Sequence, residues 1–280
     1  MKKMQLVGGG FLPEFSTCSD LKPKNFDWTR EDTPVKVFVD SGIIPGIGYI
    51  KKLGERKIAW VCESRAIFHS WFVPVEVWEQ NIVNIASAYD MLFVSDKQWL
   101  GKAPNIIYCP AGSNLPWVKD QQIFSKSKLV SMVASEKKVT FGHHLRHEIA
   151  EKFKDKIDLF GGAAGSKRIG VGGTPWPDKS ETLNPYMFSI VIENDKYETY
   201  YTEKLTDCFA TGTIPVYWGA PDIGDIFNKD GIIELTPNFD PNMLTKELYE
   251  SKIDAVRDNF NRVKDLTNAD DQLFKLINEN

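Results

Sequence analysis

Two acids, two cations and two polar loop residues carry the chemistry legible in this chain. Glu63 closes the apolar run Lys57 to Cys62, which reads as a buried strand. An acid at the carboxyl end of such a strand points into the crevice where open α/β sheets bind ligands, and there it can take a proton from a hydroxyl. Its structural alternative is a surface pair with Arg65. Asn194, Tyr200, Glu203 and Lys204 lie together between two further apolar runs, Phe188 to Ile192 and Thr213 to Trp218. Thr202 is placed to cap a helix whose apolar face is Leu205, Cys208 and Phe209 and whose stop is Gly212. Glu203 and Lys204 then occupy its first turn, where free N–H groups and the helix dipole favour an anion. A cation there opposes the dipole, so Lys204 calls for a bound anion or pairs with a nearby acid. Arg146 flanks another helical run, Phe141 to Phe153, in which Leu145, Ile149 and Phe153 align. Its planar fork suits a phosphate, and the alternative is a solvated charge on the polar face.

The elements that must hold these residues alternate. Strands are expected at Val35 to Asp40, Lys57 to Cys62, Met91 to Val94 and Asn105 to Cys109, with a helix over Pro74 to Ala88. After the proline-bearing stretch Pro110 to Gln121 a second set begins: Lys128 to Ala134, the Arg146 helix, Ile157 to Phe160, the two runs around Lys204, and Gly231 to Leu235. One or two helices are expected within Thr245 to Ile277, and no element is assigned within the turn-rich Met1 to Arg30. The expected fold is α/β, with two Rossmann-like doubly wound domains, residues 1–120 and 121–280, facing across a cleft in the GT-B arrangement.

Composition narrows the partners. With 280 residues, 26% charged and 42% hydrophobic, the chain is of ordinary globular type. A formal net charge of -4 without a basic run gives no footprint for nucleic acid. Cys18, Cys62, Cys109 and Cys208 are far apart and read as reduced residues; with no membrane-length apolar run, this points to a cytoplasmic protein. His143 and His147 are one turn apart but lack the further ligands a metal needs, so no metal site is expected. The glycine run Gly170 to Gly173 is followed by Pro175 and Pro177 where a dinucleotide fingerprint needs a helix, and it reads instead as a flexible loop over a ligand. No Asp-x-Asp pair occurs, which argues against a metal-dependent GT-A transferase.

The blocks FSIVIEN, YYTEK and TIPVYWGAP, within Lys179 to Gly219, resemble the donor-binding region of the α1,3/1,4-fucosyltransferases, glycosyltransferase family ten. The likeness extends more weakly back through Lys128 to Gly162 and thins to Glu63 over residues 1–110. It implies an inverting transfer of L-fucose from GDP-fucose to a hydroxyl of an N-acetylglucosamine-containing glycan, without cofactor or metal. It implies Glu63 as the base and Arg146, Asn194, Tyr200, Glu203 and Lys204 as donor-binding residues. The family's Glu-Ser-Pro reads Glu-Ser-Arg here. Other readings of the scaffold are a transferase using another nucleotide sugar, a non-catalytic glycan or nucleotide binder, and an α/β oxidoreductase, against which the missing glycine fingerprint stands.

Overall fold

Each strand expected from the apolar runs is present, and all pair in parallel. The structure, a computed structural model, describes residues 2–9, 17, 22–162 and 179–280; Cys18 and the loop expected at Gly170 to Gly173 lie outside them. The chain divides into two units, Met1–Asn114 with Thr267–Asn280, and Leu115–Leu266. The first carries β1 (Lys2–Gly8), β2 (Phe26–Thr29), β3 (Val35–Val39), α1 (Ile43–Gly46), β4 (Arg56–Trp60), α2 (Arg65–Trp71), α3 (Val75–Ser87), β5 (Met91–Val94) and β6 (Ile106–Tyr108). The second carries β7 (Lys128–Val133), α4 (Phe141–Phe153), β8 (Asp158–Phe160), β9 (Tyr186–Ile192), α5 (Glu203–Thr211), β10 (Ile214–Trp218), β11 (Ile233–Glu234), α6 (Lys246–Ser251) and α7 (Ile253–Lys264). A last helix, α8 (Ala269–Glu279), belongs to the first unit.

In the first unit the sheet order is β2-β1-β3-β4-β5-β6. Its two faces bury different residues. One packs Phe38, Ala59 and Leu92 under Phe68 of α2 and Trp78 and Ile82 of α3. The other presents Met4, Phe26, Trp60 and Phe93, and Leu273 and Ile277 of α8 cover it. The return of α8 moves the boundary from the expected 120/121 to 114/115 and gives residues 267–280 to the first unit. A parallel sheet needs both faces covered, and contiguity along the chain hid the element that does it. At the start of α8, Asp270 accepts from Trp28 Nε1 at 2.6 Å and Asp271 accepts from the N–H groups of Lys24 and Asn25, which ties the helix to the segment before β2.

The second sheet runs β11-β10-β9-β7-β8. α4 contributes Ile149, Ala150 and Phe153 to one face, while α5 contributes Leu205, Cys208 and Phe209 to the other. Strand order reverses between β1 and β3 in the first sheet and between β7 and β9 in the second, and doubly wound sheets bind ligands at such reversals. No helix among the described residues is long and apolar enough to cross a membrane.

Candidate functional site

In the first unit the polar groups gather where β3, β4 and β5 end. The N–H groups of Cys62 and Glu63, just past β4, donate to Asp40 Oδ1 at 2.9 and 3.2 Å. Asp40 itself follows β3 with φ +44° and is 5% exposed. Burial, and then the neighbouring Glu63 carboxylate, push its pKa up to about 7 against those two N–H bonds. Ser64 caps α2 by accepting from Ile67 N at 3.2 Å. Arg65 is the first residue of α2, where proline is favoured because its missing N–H is not needed. With Arg65 at that position the turn after Glu63 runs into a helix capped by Ser64. Arg65 reaches Asp96, past the end of β5, at 3.0 Å.

The second unit brings together four of the five residues expected around a donor. The N-terminal turn of α4 lies hard against the end of β9: a Cβ on Gly142 would sit 1.9 Å from Glu193 O, so only glycine allows the approach. That approach sends Arg146 inward. Its Nε and Nη2 donate to Ile192 O, and Nη2 also donates to Asn194 Oδ1 at 2.9 Å. At 6% exposure Arg146 is no solvated charge. Thr202 caps α5 as its residue type requires, and its N–H and hydroxyl donate to the fully buried Glu193 carboxylate at 2.9 and 2.8 Å.

From Glu193 a chain of alternating charge runs through the first turns of α5. Lys204 Nζ lies 3.6 Å from Glu193 and 3.2 Å from Glu203; Lys179 Nζ lies 3.6 Å from Glu203 and 2.5 Å from Asp207. Burial alone would raise the Glu203 pKa, but Lys204 and Lys179 pull it down to about 2. Lys204 is therefore held by two carboxylates in the chain as it stands, the pairing that the sequence left as an alternative to a bound anion. Arg146, Lys179, Ile192, Glu203 and Lys204, with Ser135 after β7, line a cavity of about 230 Å³ at the β7/β9 reversal. Tyr200 does not line it. Its ring stacks on Tyr197 with centroids 4.7 Å apart and is 2% exposed.

Three members of this network escaped the sequence reading. Glu193 looked like a strand end, Lys179 was only the edge of a block, and Asp207 sat among residues taken as helix filler. One signal was present: α5 lies between two buried strands, so its polar Asp207 had to be paired. Asp207 accepts from the N–H groups of Trp117 and Val118 at 2.6 and 3.0 Å in addition to Lys179. His143 closes a capping box with Thr140, and burial, aided by Arg146 and Lys137, lowers its pKa to about 4. Among the described residues no group of three or more His, Cys, Asp or Glu could hold a metal ion.

Comparison with known proteins points the same way. A family model described as glycosyltransferase family 10 (fucosyltransferase), C-terminal, matches residues 123–262, which span the second sheet and the charge network. An alpha-(1,3)-fucosyltransferase FucT of Helicobacter pylori is 37% identical over 65 residues, 22% of this chain and 14% of that protein. An alpha-(1,4)-fucosyltransferase of Arabidopsis thaliana is 35% identical over 52 residues, 19% of this chain and 13% of that protein. The aligned stretches thus span about a seventh of those relatives. The crystal structure of TarM shares the fold at a TM-score of 0.50, with 14% identity, covering 87% of this chain and 54% of that one.

Proposed function

Because the chain belongs to glycosyltransferase family 10, we propose that it transfers L-fucose from GDP-fucose, with inversion, to a hydroxyl of an N-acetylglucosamine-containing glycan. The observation that carries the reading is the cavity at the β7/β9 reversal, where Arg146, Lys179 and Lys204 are held against three acids within the family-matched segment. The diphosphate of the donor binds there. Nη1 of Arg146 is the guanidinium nitrogen left to reach it, since Nε and Nη2 are taken by Ile192 and Asn194. Lys204 turns from Glu203 toward the phosphates, and the freed Glu203 carboxylate, still 3.6 Å from Lys179, accepts from donor hydroxyls. Asn194 fixes Arg146.

In the transfer step Glu63 takes the proton of the acceptor hydroxyl as the new oxygen–C1 bond forms. The C1–phosphate bond breaks on the opposite face, and its electron pair leaves with GDP. Growing charge on that diphosphate meets Arg146, Lys204 and the start of α5, so cations of the chain supply the electrostatic stabilisation without a metal. The free thiols of Cys62, Cys109 and Cys208 support a cytoplasmic setting. The reading is tested by incubating the chain with GDP-fucose and a glycan panel, with and without a chelator, beside Glu63→Gln. The expected result is acceptor-dependent GDP release that survives the chelator and falls by roughly 10² to 10⁴ in Glu63→Gln. GDP binding without transfer to any glycan would make the chain a binder instead.

A further inference from the structure

We infer that Asp40 is a positioning residue for Glu63: it pins the backbone of the strand end that carries Glu63 and sets a second carboxylate beside it. The inference rests on Glu63 as the proposed base. Its geometric ground is the pair of N–H groups, from Cys62 and Glu63, that share one Asp40 oxygen at 2.9 and 3.2 Å. Two backbone donors on one acceptor fix both the height and the rotation of the turn between β4 and α2. The position is costly to maintain. Asp40 is one of three non-glycine residues with positive φ among the described residues, and its side chain is buried beside a like charge.

Beside Asp40 two backbone segments meet closely. A Cβ on Gly42 would lie 2.4 Å from Val7 O, and one on Gly8 would lie 2.4 Å from Gly42 N, so the loops after β1 and β3 are locked together around Asp40. Among the described residues the titratable groups beside Asp40 are Glu63 and the Cys62 thiol from the end of β4. The thiol is pushed well up by burial and then by Asp40, Glu63 and Asp270, and stays neutral. Glu63 therefore faces a carboxylate that ionises in the working range of most enzymes. As Asp40 gains its charge, a second negative charge grows beside the proposed base. A residue that is strained, buried beside a like charge and bonded to two backbone N–H groups of the neighbouring strand end fits a role in aiming and tuning a neighbour.

The test compares Asp40→Asn, Asp40→Gly, Glu63→Gln and the double variant Asp40→Gly/Glu63→Gln by transfer kinetics from GDP-fucose, with GDP affinity and circular dichroism confirming that each is folded. Glycine keeps the positive φ and loses the acceptor; asparagine keeps both and loses the charge. Asp40→Gly is expected to lower kcat at least about tenfold with GDP affinity unchanged. Asp40→Asn is expected to recover most of that loss while its acid limb in kcat/KM moves to lower pH, a shift that a merely structural role would not produce. In the Glu63→Gln background, Asp40→Gly is expected to cost nothing further. Wild-type kcat in Asp40→Gly, or the same fold loss with and without Glu63, overturns the inference and leaves Glu63 as base untouched. Transfer near the wild-type rate in Glu63→Gln removes the base, and the inference with it.

Discussion

Asp40→Asn should make the protein more stable above neutral pH, and by an amount the structure bounds. An acid whose folded pKa is raised costs nothing while it is neutral in both states. Its cost begins as pH rises past the ordinary value of 3.8 and is complete above about 7, the folded value. That interval of about 3 pH units, at about 1.36 kcal/mol each, sets a ceiling of about 4 kcal/mol. Asparagine tolerates the φ of +44° and keeps the oxygen that Cys62 and Glu63 bind, so the native contacts survive. The measurement is the difference in melting temperature between variant and wild type at each pH from 4 to 8. It is expected to be near zero at pH 4 and to grow to no more than roughly 10 °C at pH 8. A difference that is flat in pH, or a variant less stable throughout, would refute the reasoning, because only the ionisation of Asp40 makes the gap grow.

Lys179→Met is expected to destabilise the second unit by about 3 to 5 kcal/mol, read by chemical denaturation, since it strands Asp207 and Glu203 in the interior. A loss under about 1 kcal/mol would mean that solvent reaches Asp207. Glu203, held at about 2, contributes stability that is present above its ordinary value of 4.5 and is lost as pH falls through about 2. The stability gap between wild type and Glu203→Gln should therefore close over that window in acid melts, and a gap that persists at pH 2 argues against the two lysines as its cause. Lys204→Ala is expected to weaken GDP binding by about 1.5 to 3 kcal/mol in calorimetry; unchanged affinity would put the diphosphate elsewhere. GDP should raise the melting temperature in the presence of chelator, and complete loss of that effect would show that a cation from solution is part of the site.

The parts of the fold that could be read in advance are those whose signals are local. Thr202 and Gly212 mark the two ends of α5, and Gly212 takes the left-handed φ of +72° that a helix stop requires. The run Met91–Val94 and the helix Phe141–Phe153 match their expected bounds because buried strands and amphipathic helices carry their period within themselves. β1 and β2 were hidden for the opposite reason. β1 ends on Gly8 with Gly9 after it, β2 has four residues, and each is fixed by pairing with other strands. The site follows the same rule. Arg146, Glu203 and Lys204 were named in advance by helix position together with the family resemblance, and the structure sets all three around one cavity. Lys179, Glu193 and Asp207 were not named, because their meaning lies in partners brought close by the fold.

The return of α8 to the first sheet has a consequence for synthesis. The strands from β1 to β6 leave the ribosome before any of Leu115–Leu266, yet the face bearing Met4, Phe26, Trp60 and Phe93 waits for Leu273 and Ile277. The unit made first is thus completed only after the whole of the other has been translated. During that interval an apolar sheet face stands open in a nascent chain, and such surface is what chaperones bind and what aggregation exploits. Expression of this protein should therefore depend on how fast translation carries the ribosome past residue 277.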